Sequence, residues 1–109
     1  MNQFGICGRL VNDFVLEEKN GIKMTRNSIA RDRTYKNKDG VIEADYFNFT
    51  LFNDDAERAC RFLKKGDLVG LTGSLKTFKN EIVLNVDYVD FLATYKPKEI
   101  KKDEIEMKI

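Results

Sequence analysis

The sequence predicts an all-β domain, a five-stranded Greek-key barrel with one helix between its third and fourth strands. Three observations predict it. Apolar and polar residues alternate over most of the chain, the period of half-buried strands. The pattern turns helical only once, after Asn53. At 109 residues, 42% of them hydrophobic, the chain fills one ordinary domain and leaves little room for a second.

The first strand is Phe4–Val11, where Gly5 and Gly8 permit a tight bend or the close approach of another backbone. Phe14-Val15-Leu16 then runs into Glu17–Gly21, a polar turn signal. Ile22–Tyr35 is a second extended segment, polar and unusually basic, and Lys36–Gly40 is a loop ending in Asp-Gly. The clearest strand is Ala44–Phe52: Phe47, Phe49 and Leu51 share the face that reads as core, while Tyr46, Asn48, Thr50 and Phe52 share the other. That second face carries two aromatics among polar neighbours, which a purely solvated face does not need.

Between Asn53 and Gly66, Ala56, Ala59, Cys60 and Leu63 recur at i, i+3, i+4 and i+7. Asn53 or Asp54 offers an N-cap, acidic residues fill the first turn, and Arg61, Lys64 and Lys65 precede a terminal Gly66. In the next strand, Asp67–Phe78, Val69, Leu71 and Leu75 lie on one side and Thr72, Ser74, Lys76 and Phe78 on the other. Lys79-Asn80-Glu81 is a tight reversal. Ile82, Leu84, Val86 and Tyr88 then alternate before Val89 and Phe91 shift phase, as at a bulge. The only proline, Pro97, marks the domain boundary, with residues 1–95 as the folded domain and 96–109 as a short charged tail. Five strands with a lone helix between the third and fourth match the OB-fold, whose face and loops hold oligonucleotides or oligosaccharides.

Several function classes fall away. Without histidine there is no imidazole general base and no His-containing metal site. Cys7 and Cys60 are too few for a four-cysteine zinc site and form no CxxC pair, so they read as reduced thiols, and no metal or cofactor is expected. Asp54 and Asp55 are helix-start residues rather than an acid/base pair, and no nucleophile has an activating partner, so a non-enzyme is expected. No signal peptide and no run of ~20 apolar residues is present, which places the chain in the cytoplasm with no membrane partner.

The net charge of +1, from 19 basic and 18 acidic residues, hides a segregation. Residues 23–38 carry Lys23, Arg26, Arg31, Arg33, Lys36 and Lys38 against Asp32, a net +5. Residues 39–57 hold six acids and no base, and residues 58–79 return to +5. Folding can merge the two basic blocks into one stripe. Tyr35, Tyr46, Phe52 and Phe78 fall off the inferred core face or at strand ends near those bases. A flat ring stacks on any base, and nearby cations neutralise phosphates. Aromatics interleaved with Lys and Arg are the footprint of single-strand binding. A duplex reader more often presents a basic helix, and the helix here starts acidic.

An ordered set of segments carries a family resemblance: Cys7-Gly8-Arg9-Leu10 with Asn12-Asp13, Arg33-Thr34-Tyr35-Lys36-Asn37, Glu43-Ala44-Asp45-Tyr46-Phe47-Asn48, Phe62-Leu63-Lys64-Lys65-Gly66 and Gly73-Ser74-Leu75-Lys76-Thr77. Over residues 1 to 95 the chain resembles the bacterial and phage-type single-stranded DNA-binding proteins. The resemblance implies an OB-fold that binds single-stranded DNA without regard to sequence during replication, recombination and repair, as a homotetramer or a dimer-based assembly. By position, Tyr35, Tyr46 and Phe52 match the family's base-stacking aromatics, and Phe78 stands in for one missing from a shortened hairpin. Lys36, Lys65, Lys76 and Lys79 match or adjoin its phosphate contacts, Arg33 of the basic block is expected to join them, and Gly5, Cys7 and Gly8 lie in the strand that pairs subunits.

Departures accompany the match. Asn27 and Arg31 stand where the family prefers apolar residues, and Glu17 where Arg is common. In place of a long linker and an acidic tip that recruits partner proteins, the sequence ends Glu104-Ile105-Glu106-Met107-Lys108-Ile109. This leaves a compact form from a phage or other mobile element beside a form with its tail removed, and leaves the partner proteins open. The competing function is an OB-fold protein-interaction adaptor, of primosome or mobile-element type, with weak or no DNA binding.

Overall fold

The computed structural model describes residues 1–95; the expected charged tail, with Pro97, lies outside the described residues. Its elements are β1 (Phe4–Leu10), β2 (Glu17–Lys19), β3 (Ile22–Lys36), β4 (Ile42–Phe52), α1 (Asn53–Phe62), β5 (Leu68–Phe78) and β6 (Glu81–Ala93). The strand order is β1-β5-β6-β4-β3-β2, and β1 also pairs with β3, which closes five strands into the OB barrel. Every pairing is antiparallel except the short β4–β6 contact at Phe49↔Leu84 and Thr50↔Asn85. The expected Glu17–Gly21 turn is corrected to a short additional strand, β2, followed by a two-residue loop. Asn20 and Gly21 both take positive φ there, as a tight hairpin needs, so Lys19 pairs with Ile22.

Inward residues of all five barrel strands meet in one core: Leu10, Ile29, Phe49, Leu51, Val69, Leu71 and Leu84 are buried, and Ala56 and Ala59 of α1 plug one end. The small alanine stripe lets the helix sit close, and Lys23 of β3 fastens it through an ion pair with Glu57. Two expectations about the helix need correction. Asn53 makes no side-chain cap and instead takes a left-handed φ of 53°, turning the chain out of β4. Gly66 is not the helix stop. α1 ends at Phe62, and Gly66 is the third residue of a turn in which Asp67 N–H bonds Lys64 O at 3.1 Å.

The expected bulge is present. Thr72 pairs with Tyr88 but Gly73 with Val86, leaving Asp87 unopposed, so Leu84, Val86 and Val89 all turn to the core. A second shift skips Leu92. Phe47 and Leu75, expected in the core, are 37% and 42% exposed. The reason lies in the closure: β1 contacts β3 only at Arg9↔Ala30 and Leu10↔Ile29, and beyond that the strands separate into an open mouth.

The polar character of β3 also finds its explanation. Asn27, 5% exposed, donates to Asn12 O at 2.7 Å and accepts from the N–H groups of Asn12 and Ser28. Thr25 is fully buried, its hydroxyl on Val15 O. Both side chains tie the segment between β1 and β2 to β3, so β3 packs with its polar groups satisfied. Arg31 stays outside the core and reaches Cys7 O at 3.3 Å.

Closure rests on a missing side chain. A Cβ on Gly8 would lie 2.5 Å from Ala30 O, whereas one on Gly5 would meet nothing nearer than Thr72 Cγ2 at 3.9 Å. Gly8→Ala is therefore expected to lower stability by about 1–3 kcal/mol or more, while Gly5→Ala stays within about 0.5 kcal/mol of the parent. Urea denaturation of the two variants checks this. Equal midpoints would show that the crossing is not tight.

Candidate nucleic-acid interface

Alternation along β3 and β4 builds the site. With Thr25, Asn27 and Ile29 turned inward, Arg26 and Ser28 point out. With Phe49 and Leu51 inward, Tyr46, Asn48, Thr50 and Phe52 share the outer face. Cross-strand pairing sets Met24 beside Phe52, Arg26 beside Thr50 and Ser28 beside Asn48. Tyr46 and Phe52 lie six positions apart, a span of about 20 Å along the strand.

On the far side of the face, the β5–β6 hairpin contributes Lys76, Phe78, Val83 and Asn85 to a groove of about 700 Å³ shared with Arg26, Asn48 and Phe52. Phe52 is 48% exposed and Phe78 65%, so the groove is walled by two open rings. The hairpin is short because Lys79 and Asn80 both adopt positive φ, and Phe78 pairs directly with Glu81. That tight turn folds the Lys79 ammonium over the Phe78 ring, 5.5 Å from its centroid. Two hydrogen bonds hold the groove's polar lining: Ser28 Oγ donates to Asn48 Oδ1, and Asn85 Nδ2 donates to Ser74 Oγ behind it.

The sequence-predicted residues do not all meet. Phe52, Phe78 and Lys76 line one groove with Lys79 at its lip, and Tyr46 stands farther along the same face of β4. Tyr35 lies elsewhere, in a cleft of about 480 Å³ at the barrel mouth with Phe4, Ile6, Arg31 and Phe47. Lys36 is exposed at the end of β3, and Lys65 in the turn after α1, its amide on Asp13 Oδ1 at 2.8 Å. Gly8 is buried inside the protomer, unlike Gly5 and Cys7, which lie exposed on β1. Sequence reasoning puts Arg26 in a basic block and Asn48 on the outer face of β4 without assigning either to the site, and it misses Asn85; the alternation of buried Thr25, Asn27 and Ile29 fixes Arg26 outward.

Charge within the two basic blocks is unequally free. Arg33 holds Asp45 through two guanidinium nitrogens at 2.9–3.2 Å and Glu43 through a third contact at 2.9 Å. Its hydrogen bonds to Asp45 raise the guanidinium pKa above its ordinary value and hold the Asp45 carboxyl below the usual range. Lys23 is likewise raised, and Glu57 lowered, chiefly by their mutual hydrogen bond. The acidic block thus neutralises Lys23 and Arg33. Arg26 and Lys76 have no ion-pair partner within 4.0 Å among the described residues, so the basic blocks join at the groove through these two.

Among the described residues no cluster of three metal-ligating side chains occurs, and no helix is long and apolar enough to cross a membrane. A small closed barrel with a cationic, aromatic-walled groove on one sheet face defines an oligonucleotide-type OB domain. Residues 1–86 match the model of the single-strand binding protein family, and the chain belongs to that family. It is 38% identical over 95 residues to single-stranded DNA-binding protein B of Bacillus subtilis (strain 168), covering 84% of each chain. It is 37% identical over 78 residues to protein A of the same organism, and 36% to single-stranded DNA-binding protein 2 of Staphylococcus aureus (strain COL). Those two matches cover 71% of this chain but only 45% and 56% of the relatives.

Because Asp45 is held below its unfolded pKa of about 3.9, the Arg33 clamp adds stability above that pH and loses it as pH falls through the lower folded value. Arg33→Met should therefore be less stable than the parent at pH 7, with the gap closing below about pH 4. A pH series of thermal melts checks it. A gap that is constant down to pH 2 would mean that the ion pair contributes nothing.

Proposed function

We propose that the chain binds single-stranded DNA without sequence preference, serving replication, recombination and repair as a binding protein rather than a catalyst. The observation that carries this is the joint placement of Phe52, Phe78, Arg26 and Lys76 on one open groove. Stacking rings accept any base, and two unpaired cations beside them suit phosphates on the same strand. Tyr46, 65% exposed on the same face of β4, extends the stacking surface, and Tyr35, on the arm beyond it, is a further contact. Lys79 and Lys36 add charge at the edges. Arg33, committed to Asp45 and Glu43, serves instead to hold the β3–β4 arm. Lys65 lies off the groove and is a peripheral contact at most.

A second copy of the chain fits the edge of β1. Its residues Phe4–Gly8 pair only with β5, leaving their other edge open, with Gly5 and Cys7 exposed alongside. Pairing of two copies through that edge closes a dimer, and a tetramer takes a second contact between such dimers. Edge pairing puts Gly5 and Cys7 at the subunit contact and keeps Gly8 inside.

In oligo-dT titrations, Tyr46→Ala and Phe52→Ala should each weaken binding by about 1–3 kcal/mol. Arg26→Ala and Lys76→Ala should each lower the slope of log affinity against log salt by about 0.7, and Arg33→Ala should leave it unchanged. No binding at low salt would transfer the chain to the protein-interaction adaptor reading.

A further inference from the structure

Away from the groove, α1 and β6 diverge and leave a cleft of about 350 Å³ between them, with Ala59, Phe62 and Leu63 on one wall and Val89 and Phe91 on the other. Its aromatic residues are not spent on packing: Phe62 is 66% exposed, Phe91 54%, and neighbouring Tyr88 64%. Exposed apolar clusters of this kind mark interaction surfaces. The rim is acidic, carrying Asp55, Asp87 and Asp90 against a single base, Arg58, which itself stands 4.0 Å from Asp55. Arg61 lies over the Phe62 ring at 5.9 Å, on the helix side. The groove holding Arg26 and Lys76 has no acid in its lining, and the mouth balances Arg31 and Arg33 with Asp32 and Asp45.

The bulge in β6 creates this rim. Asp87 is the unopposed residue, and Gly73 opposite admits the displaced backbone because a Cβ there would lie 1.9 Å from Asn85 O. The extra residue brings Asp87, Tyr88 and Asp90 to the cleft while Val89 stays toward the core. Unpaired carboxylates repel a polyanion, so nucleic acid is the wrong occupant. The volume suits one or two anchoring side chains rather than a whole helix.

We infer that the α1–β6 cleft docks a short basic segment of a partner protein, an aromatic or branched apolar side chain entering between Phe62 and Phe91 while flanking lysines or arginines meet Asp87 and Asp90. The site is separate from the DNA groove, so partner and strand are held together. This second function stands whether or not the groove binds DNA.

The test uses the full chain without DNA, at low salt, with the hexapeptide KKIFKK as probe and KKAAKK and EEIFEE as controls, followed by NMR. KKIFKK should shift the resonances of Phe62, Tyr88 and Phe91 saturably, and both controls should bind more weakly. The double variant Asp87→Lys/Asp90→Lys should weaken the probe by about tenfold or more, and Phe62→Ser should weaken it too. Both variants should keep oligo-dT affinity within about twofold of the parent, which also reports that they fold. Shifts mapping elsewhere, or probe affinity indifferent to these changes, overturn the proposal. So do cleft resonances that depend on protein concentration, which would assign the cleft to a second copy. Resonances that move in Lys98→Glu/Lys101→Glu/Lys102→Glu without peptide would overturn it as well, by assigning the cleft to the chain itself.

Discussion

Everything in this molecule hangs on the close crossing of β1 and β3 at Gly8. A five-stranded sheet becomes a barrel only if one strand serves two neighbours, and β1 does so by pairing with β5 over Phe4–Arg9 and with β3 at Arg9 and Leu10. The contact is too close for any side chain at Gly8. Closure removes the sheet's hydrogen-bonding edges over part of its length and gathers the inward residues into a single core. It also curls β4 and the β5–β6 hairpin toward one another, so that Phe52 and Phe78 face a common groove. Where the crossing ends, the barrel opens, and Phe47 and Leu75 become partly solvated.

Electrostatics in the fold is a matter of allocation. The acidic block spends its charge locally: Glu43 and Asp45 on Arg33, Glu57 on Lys23, Asp55 near Arg58. All of these pairs are partly exposed, so each adds little to stability in salt. Their larger effect is to decide which cations remain available. Arg26 and Lys76 remain so at the groove, while Asp87 and Asp90 give the opposite end of β6 the reverse sign. A chain near neutrality therefore presents two surfaces of opposite character, each walled by exposed aromatics.

Polar burial contributes specificity to the same design. Thr25 and Asn27 occupy inward positions of β3, and each is satisfied by backbone of the segment joining β1 to β2. Asp67, 4% exposed, accepts from Lys64 N–H and Tyr95 N–H, tying the turn after α1 to the end of β6. Apolar residues at these positions would pack, but they would not fix which loop lies over which strand.

By itself the sequence determined what local chemistry can dictate: the strand periods, the single amphipathic helix, the tight turn at Lys79-Asn80, the phase shift in β6, and the outward set Tyr46, Asn48, Thr50 and Phe52. Each of these follows from residues within a few positions of one another. Only the tertiary structure decided matters of long-range proximity. It separated Tyr35 from Phe52 and Phe78, brought Arg26 of β3 beside Lys76 of β5, withdrew Arg33 into a clamp, buried Gly8 inside the protomer, and placed the helix's Phe62 across from Phe91. The reason is that a strand's alternation fixes the face of a side chain but not its neighbour. The neighbour is set by how the barrel closes, through contacts between residues as much as 73 positions apart, such as Asn2 and Leu75.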